Sequence, residues 1–187
     1  MPFSDLPSPL SGVRYLSPKV FGDERGFFYE SWSAGDFAAL GIDVPWVQDN
    51  HSRSAAGVLR GLHFQRGDHA QDKLVRITAG RVWDVVLDLR RSSPTYGRWS
   101  GFDLSAANKR LLFVPKGFAH GFLSLDDGTE CLYKCSYPYS PASESGIAWD
   151  DPALAITWPL GGLVPQLSER DRRWPRLAAT LQIELFP

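Results

Sequence analysis

Cysteine is scarce in this sequence, and neither sign of charge dominates it. Two of the 187 residues are Cys, too few for a disulfide framework. They are Cys131 and Cys135, in TECLYKCSY, a segment that reads as a strand. An i,i+4 pair on a strand shares a face but lies about 13 Å apart, beyond the reach of a disulfide. Nothing nearby completes a C-x3-C metal site, so both are read as small buried or half-buried residues. Lys and Arg number 20 against 21 Asp and Glu, for a formal net charge of −1. No run of basic residues forms a tail or stripe, which excludes a nucleic-acid binder held by bulk electrostatics. An anionic ligand would need a local basic pocket. No stretch approaches the roughly 18 apolar residues of a membrane span. The opening MPFSDLPSPL has neither the basic nor the apolar region of a secretion signal. The expectation is a soluble, cytoplasmic protein with no membrane partner. No internal repeat or low-complexity segment is visible, and helix signals are few.

Hydrophobic residues make up 43% of the chain. A chain of this length buries roughly 70% of its unfolded surface, so the expectation is a single domain over residues 1–187 that needs neither disulfide nor metal. The 17 Gly and 14 Pro are spread throughout, separating short runs rich in Val, Phe, Tyr, Trp and Leu. That punctuation predicts an all-β fold. Expected strands run from Phe27 to Trp32, Trp46 to Ser52, Val58 to Phe64, Lys73 to Thr78, Arg81 to Leu89, Trp99 to Leu104, Leu111 to Val114, Gly121 to Leu125 and Glu130 to Tyr137. From Arg81 onward, Trp83, Val85, Leu87 and Leu89 share one face. Asp84 and Asp88 fall on the other face with Val82 and Val86, a mixed surface such as a barrel interior carries. Ser33 is placed to cap a short helix through Leu40, with Gly41 just past its end, and Ala106 to Arg110 could add one more turn. The Pro- and Trp-rich tail from Asp150 to Pro187 is expected to wrap the barrel.

Two segments carry the chemistry. GVLRGLHFQ sets His63 and Gln65 on one strand face, with Arg60 and Gly61 just before them. VPKGFAHGF makes a tight turn at Pro115 and Gly117 before His120. Together they resemble the cupin signature, G-x5-H-x-H followed by P-x-G-x-x-H, with Gln65 where the second His should stand. A catalytic transition metal needs about three His or carboxylate ligands, and an amide oxygen is a poor substitute. A metal-free cupin jelly roll with no cofactor is therefore expected. The rival is a metal-dependent cupin using His63, His69 and His120.

Taken singly, Arg25, Lys73 and Tyr133 read as a turn residue, a solvated strand edge and strand packing. The series DERGFFYES, QDNHSRS, GVLRGLHFQ, QDKLVRITAGRVWDVVLDLRRSSPTYGRW, LSAANKRLLFVPKGFAHGF, LYKCSYPYSPASESGIAWDDP and LSERD, from Asp23 to Asp171, is similar to the dTDP-4-dehydrorhamnose 3,5-epimerase family. The resemblance implies a metal-free epimerase of dTDP-4-dehydro-6-deoxy-D-glucose that exchanges protons at C3 and C5. It further implies His63 as base, Asp171 as its carboxylate partner, Tyr133 as acid and Lys73 as the cation at the enolate. By the same resemblance Arg25, Arg60 and Arg170 meet the diphosphate, with Arg170 where Lys is common. Glu30, Gln48, Asn50, His120 and Glu144 meet nucleotide or sugar, Tyr139 stacks on thymine, and Phe27 and Phe122 form pocket wall or core. It also implies a homodimer, in which the FFYESW segment could pair across the subunit boundary. Alternatives are a cupin that inverts one carbon only and an inert sugar-binding module.

Overall fold

The computed structural model describes residues 2–180 and 186. Its strands are β1 (Phe3–Leu6), β2 (Arg14–Pro18), β3 (Phe21–Asp23), β4 (Gly26–Phe28), β5 (Gln48–Ser54), β6 (Leu59–Gln65), β7 (Lys73–Ala79), β8 (Arg81–Asp88), β9 (Trp99–Ser105), β10 (Leu111–Val114), β11 (Phe118–Ser124), β12 (Thr129–Cys135) and β13 (Glu144–Gly146). They form a six-stranded sheet, β1-β2-β10-β7-β12-β5, a five-stranded sheet, β13-β6-β11-β8-β9, and a separate hairpin, β3-β4. All the strand pairs are antiparallel. This is the two-sheet jelly roll of the cupins, as the punctuation and the paired motifs imply.

The period-2 pattern decides what lies between the sheets. Val75, Ile77, Val82, Val86, Leu104, Leu112 and Phe122 meet there in one buried cluster. The mixed face of β8 points inward, so Asp84 and Asp88 are fully buried. Its other face, with Val85 and Leu87, lies under Ile147, Leu154 and Trp158, where the tail wraps the outside as expected. Positions 181–185 and 187, the end of that expected tail, lie outside the described residues. The outer face of the six-stranded sheet is covered by helix α1 (Ala34–Ala39), whose Phe37 packs with Phe3, Leu16 and Phe113. Ser33 caps α1 by accepting the Asp36 N–H at 3.3 Å. Truncating Phe37, 1% exposed, to Ala would cost about 3–5 kcal/mol through the cavity left behind.

The structure corrects the expected elements in three places. The strand expected over Phe27 to Trp32 stops at Phe28, because the hairpin stands apart and offers positions 29–32 no ladder partner. Ala106 to Arg110 is a turn and not helix. The Asn108 carboxamide accepts the N–H groups of Ser105 and Arg110, both near 3.0 Å, replacing helical bonding with a local side-chain bond. Strands β1, β2, β3 and β13 were not expected; each is short, and among the described strands β13 pairs with β6 alone.

Candidate active site

A bulge builds the site. His63 pairs with His120, yet Phe122 pairs with Arg60, so β6 has one residue more than β11 over this stretch. On a regular strand Arg60 and His63, three apart, would face opposite sides. The extra residue turns both into the same cleft. Two glycines allow it. Gly61 has φ +123°, and a Cβ there would lie 2.5 Å from the Gly121 Cα; one on Gly121 would lie 2.6 Å from the Arg60 carbonyl oxygen. No other residue type permits so close an approach of two backbones.

His63 hydrogen-bonds Asp171 through Nε2. Asp171 comes from the tail, at the start of a 3₁₀ turn (Asp171–Arg173), and is buried. Its Oδ2 accepts from Ser168 Oγ at 2.8 Å, and its Oδ1 also accepts from Trp174 Nε1 at 3.3 Å. Burial works against the Asp171 charge, but His63, Ser168 and Trp174 together outweigh it and hold the carboxyl below its ordinary range. Beside His63, the buried His120 directs Nε2 at both oxygens of Asp84, each at 2.9 Å.

The opposite wall belongs to the six-stranded sheet. Tyr133 on β12 is the register partner of Asn50 on one side and Val75 on the other, and Lys73 of β7 partners Cys135. Burial pushes the Tyr133 phenol up to about 12 and pulls the Lys73 ammonium below the usual lysine range. Neither side chain hydrogen-bonds another group among the described residues. The two walls enclose an inner cavity of about 170 Å³, lined by Arg60, His63, Lys73, His120, Tyr133, Arg170 and Asp171. An outer lobe of about 240 Å³ shares His63, Lys73, Tyr133 and Arg170 with it and adds Gln48, Asn50, Tyr139 and Glu144.

The outer lobe is tied together by polar side chains. Gln48 donates to Asn50 at 2.9 Å and accepts the Tyr139 N–H at 3.0 Å; the Tyr139 hydroxyl donates to Glu144 at 3.0 Å. Glu144 is also ion-paired with Arg170. Gln65, the residue in place of a metal-ligand His, accepts the Ser140 N–H at 3.1 Å and so anchors the loop that presents Tyr139. His69 sits apart on its own 3₁₀ turn, with Nδ1 3.1 Å from Ser143 Oγ. Among the described residues, no three His, Cys, Asp or Glu side chains are grouped to hold a metal ion. The set His63, His69 and His120 is therefore not assembled.

Three of the expected contacts do not line the cleft. Arg25 and Phe27 are on the exposed β3-β4 hairpin, Arg25 paired with Asp23 and Phe27 64% exposed beneath Lys109. Glu30 follows the hairpin with Oε1 buried and unpartnered. Phe122 belongs to the core between the sheets and also lines the inner cavity. The sequence reading missed Asp84, Ser168 and Trp174. Asp84 was visible as an acid among valines on one strand face, Ser168 lies within the LSERD motif, and Trp174 follows it by three residues.

A family model described as dTDP-4-dehydrorhamnose 3,5-epimerase matches residues 7–179. The chain belongs to this epimerase family. It is 52% identical over 180 residues to the dTDP-4-dehydrorhamnose 3,5-epimerase of Salmonella typhimurium, covering 96% of this chain and 98% of that one. The Legionella pneumophila epimerase, solved in complex with dTDP-4-keto-L-rhamnose, is 47% identical with a TM-score of 0.90, over 94% of this chain and 93% of that one. A 3'-monoepimerase from Streptomyces bikiniensis, solved with dTDP-quinovose, is 35% identical with a TM-score of 0.90, over 97% and 91% of the two chains. No helix among the described residues is long and apolar enough to cross a membrane.

Proposed function

We propose that this chain, as a single domain, inverts C3 and C5 of dTDP-4-dehydro-6-deoxy-D-glucose to give dTDP-4-dehydro-L-rhamnose. The observation that carries this reading is the placement of His63 with Asp171 on one wall of a cleft and Tyr133 with Lys73 on the other. Hydrogens at C3 and C5 are acidified by the C4 ketone between them. Asp171 accepts a hydrogen bond from the Nε2–H of His63, which leaves the Nδ1 lone pair as the base. His63 removes the C–H proton, and the Lys73 ammonium holds the enolate oxygen. Tyr133, a neutral phenol across the neutral range, returns a proton to the opposite face. Exchange with solvent then resets the imidazolium and the tyrosinate before the second carbon reacts. Arg60 and Arg170 meet the diphosphate, Tyr139 stacks on thymine, and Gln48, Asn50, His120 and Glu144 hydrogen-bond nucleotide or sugar. No metal or organic cofactor enters these steps. The enzyme works in the cytoplasm, where a reducing environment suits the free thiols of Cys131 and Cys135.

Arg25, Phe27 and Glu30 take part only if the hairpin region of one chain completes the cleft of another, so we read the enzyme as a homodimer with strand exchange. The exposed Phe21, Phe27 and Phe28 support that reading, since an apolar hairpin standing off its own fold gains by docking. Light scattering should give about twice 20.8 kDa. Mixing inactive Arg25→Ala and His63→Ala chains should restore activity by forming one intact site per mixed dimer. A monomer, or mixed chains without recovered activity, would count against exchange.

Solvent deuterium incorporation into the substrate tests the reaction itself. Label at both C3 and C5, with inversion at both, is expected. The similarity to a 3'-monoepimerase favours a second reading, inversion at C3 alone, and label confined to C3 would establish it. Absence of label at both carbons would defeat both readings.

A further inference from the structure

Asp84 is a fully buried carboxylate that the proton transfers above do not use. It sits on the inward face of β8, opposite Phe122 in the β8-β11 register. Its only hydrogen-bond partner among the described residues is His120 Nε2, which lies 2.9 Å from both of its oxygens. That geometry places the proton on Nε2, between two acceptors, and leaves Nδ1 for the cleft that His120 lines. The arrangement repeats the His63–Asp171 pair one strand away, since His63 and His120 are register partners.

Charge accounting gives Asp84 a second effect. The groups whose negative charge would favour the Lys73 ammonium are Cys135 and Cys131 on β12, Glu144 on β13 and Asp84; Arg60, His63, His120, Tyr133, Arg170 and Asp171 line the same cavity. Asp84 also faces His120, Cys131 and the Tyr15 phenol of β2. Burial pushes both thiols up, so they stay neutral. Glu144 is paired with Arg170. Burial pushes the Asp84 carboxyl up as well, opposed by His120 and Lys73; no arginine pairs with it among the described residues, so those two groups are what favours its charged form.

We propose that Asp84 is a positioning residue, which fixes the His120 ring with Nε2 protonated and Nδ1 presented to the sugar, and which sustains the charge of Lys73 across the cleft. This rests on the reading of the cleft as the epimerase site and extends it to a residue that touches no reacting atom. Burial already lowers the Lys73 ammonium. Removing the Asp84 charge lowers it further, so activity that needs protonated Lys73 is lost at lower pH.

The test pairs Asp84→Asn, nearly isosteric, with a measurement on the wild-type enzyme. In Asp84→Asn, kcat should fall about tenfold or more, the scale of a lost hydrogen bond to a charged group. The alkaline limb of the kcat profile should move to lower pH, while affinity for dTDP alone stays within about twofold of wild type. Nitrogen-15 NMR of His-labelled wild-type protein should show the His120 proton on Nε2. Wild-type kcat and an unmoved alkaline limb in Asp84→Asn would overturn the proposal. So would a fall in kcat accompanied by an equal loss of dTDP binding with no change in the limb, the mark of a merely structural role. A His120 ring without a proton on Nε2 would overturn it even if Asp84→Asn failed to fold. The ring measurement needs no turnover, so it can fail while the epimerase reading stands. Conversely, loss of that reading would show in His63→Ala.

Discussion

On the five-stranded wall each imidazole is tied to a carboxylate, His63 to Asp171 and His120 to Asp84. On the six-stranded wall Lys73 and Tyr133 have no hydrogen-bond partner among the described residues, and burial is the largest influence on their protonation. One wall is organised by bonds within the protein, which select tautomer and aim. The other is organised by desolvation, which keeps Tyr133 a proton donor and makes the Lys73 ammonium costly until an anion meets it. In the proposed reaction an enolate formed between the walls supplies that anion. The difference suits a reaction in which a proton leaves on one side and enters on the other.

The comparison can be broken most severely at its ordered wall. His63→Ala should lower epimerisation by about 10³-fold, within the range of a general base, with the fold intact by circular dichroism; activity within tenfold of wild type would refute the assignment of base. Next comes Lys73. Lys73→Ala should depress hydrogen exchange and inversion together by about 10²-fold, because both pass through the stabilised enolate. A pH profile separates the two residues of that wall. Lys73 sits below the usual lysine range and Tyr133 near 12, so the alkaline fall in activity belongs to Lys73 and begins as its ammonium loses a proton. Lys73→Arg should shift that limb to higher pH, whereas Tyr133→Phe should leave the limb in place on its residual rate. An effect of the opposite pattern would assign the limb to the phenol. The smallest change is expected at Gln65→Ala, which removes one hydrogen bond to the Tyr139 loop. It should raise KM a few-fold, in keeping with about 1 kcal/mol, with little change in kcat; a matching drop in kcat would mean that Gln65 serves the chemistry directly.

Much of the barrel was legible because alternation is strict where a sheet has one face inside and one outside. The β8 run announced its mixed inner face, and Ser33 with Asp36 announced the helix that follows. The short edge strands β1 and β13 were not legible, since three or four residues carry no period and their pairing partners lie far away in sequence. In the site, His63 and Gln65 could be placed on one face by counting. Arg60 could not, because counting sends it to the wrong side until the Gly61 bulge is known. Asp171 has no local signature; its approach to His63 depends on the path of the tail over 108 positions. Arg25, Phe27 and Glu30 match the family pattern in sequence, yet within one chain they stay outside the cleft, a fact that only tertiary structure reveals.

The central claim is that removal and return of the proton belong to different walls, and the ratio of exchange to inversion in Tyr133→Phe tests it most directly. With the substrate in deuterated water, this variant should lose inversion by about 10²-fold while His63 continues to remove protons and to return deuterium to the same face. Label should then appear at C3 or C5 with configuration retained. Normal epimerisation by Tyr133→Phe, or loss of exchange in step with inversion, would contradict the division of the site into a wall that takes the proton and a wall that gives it back.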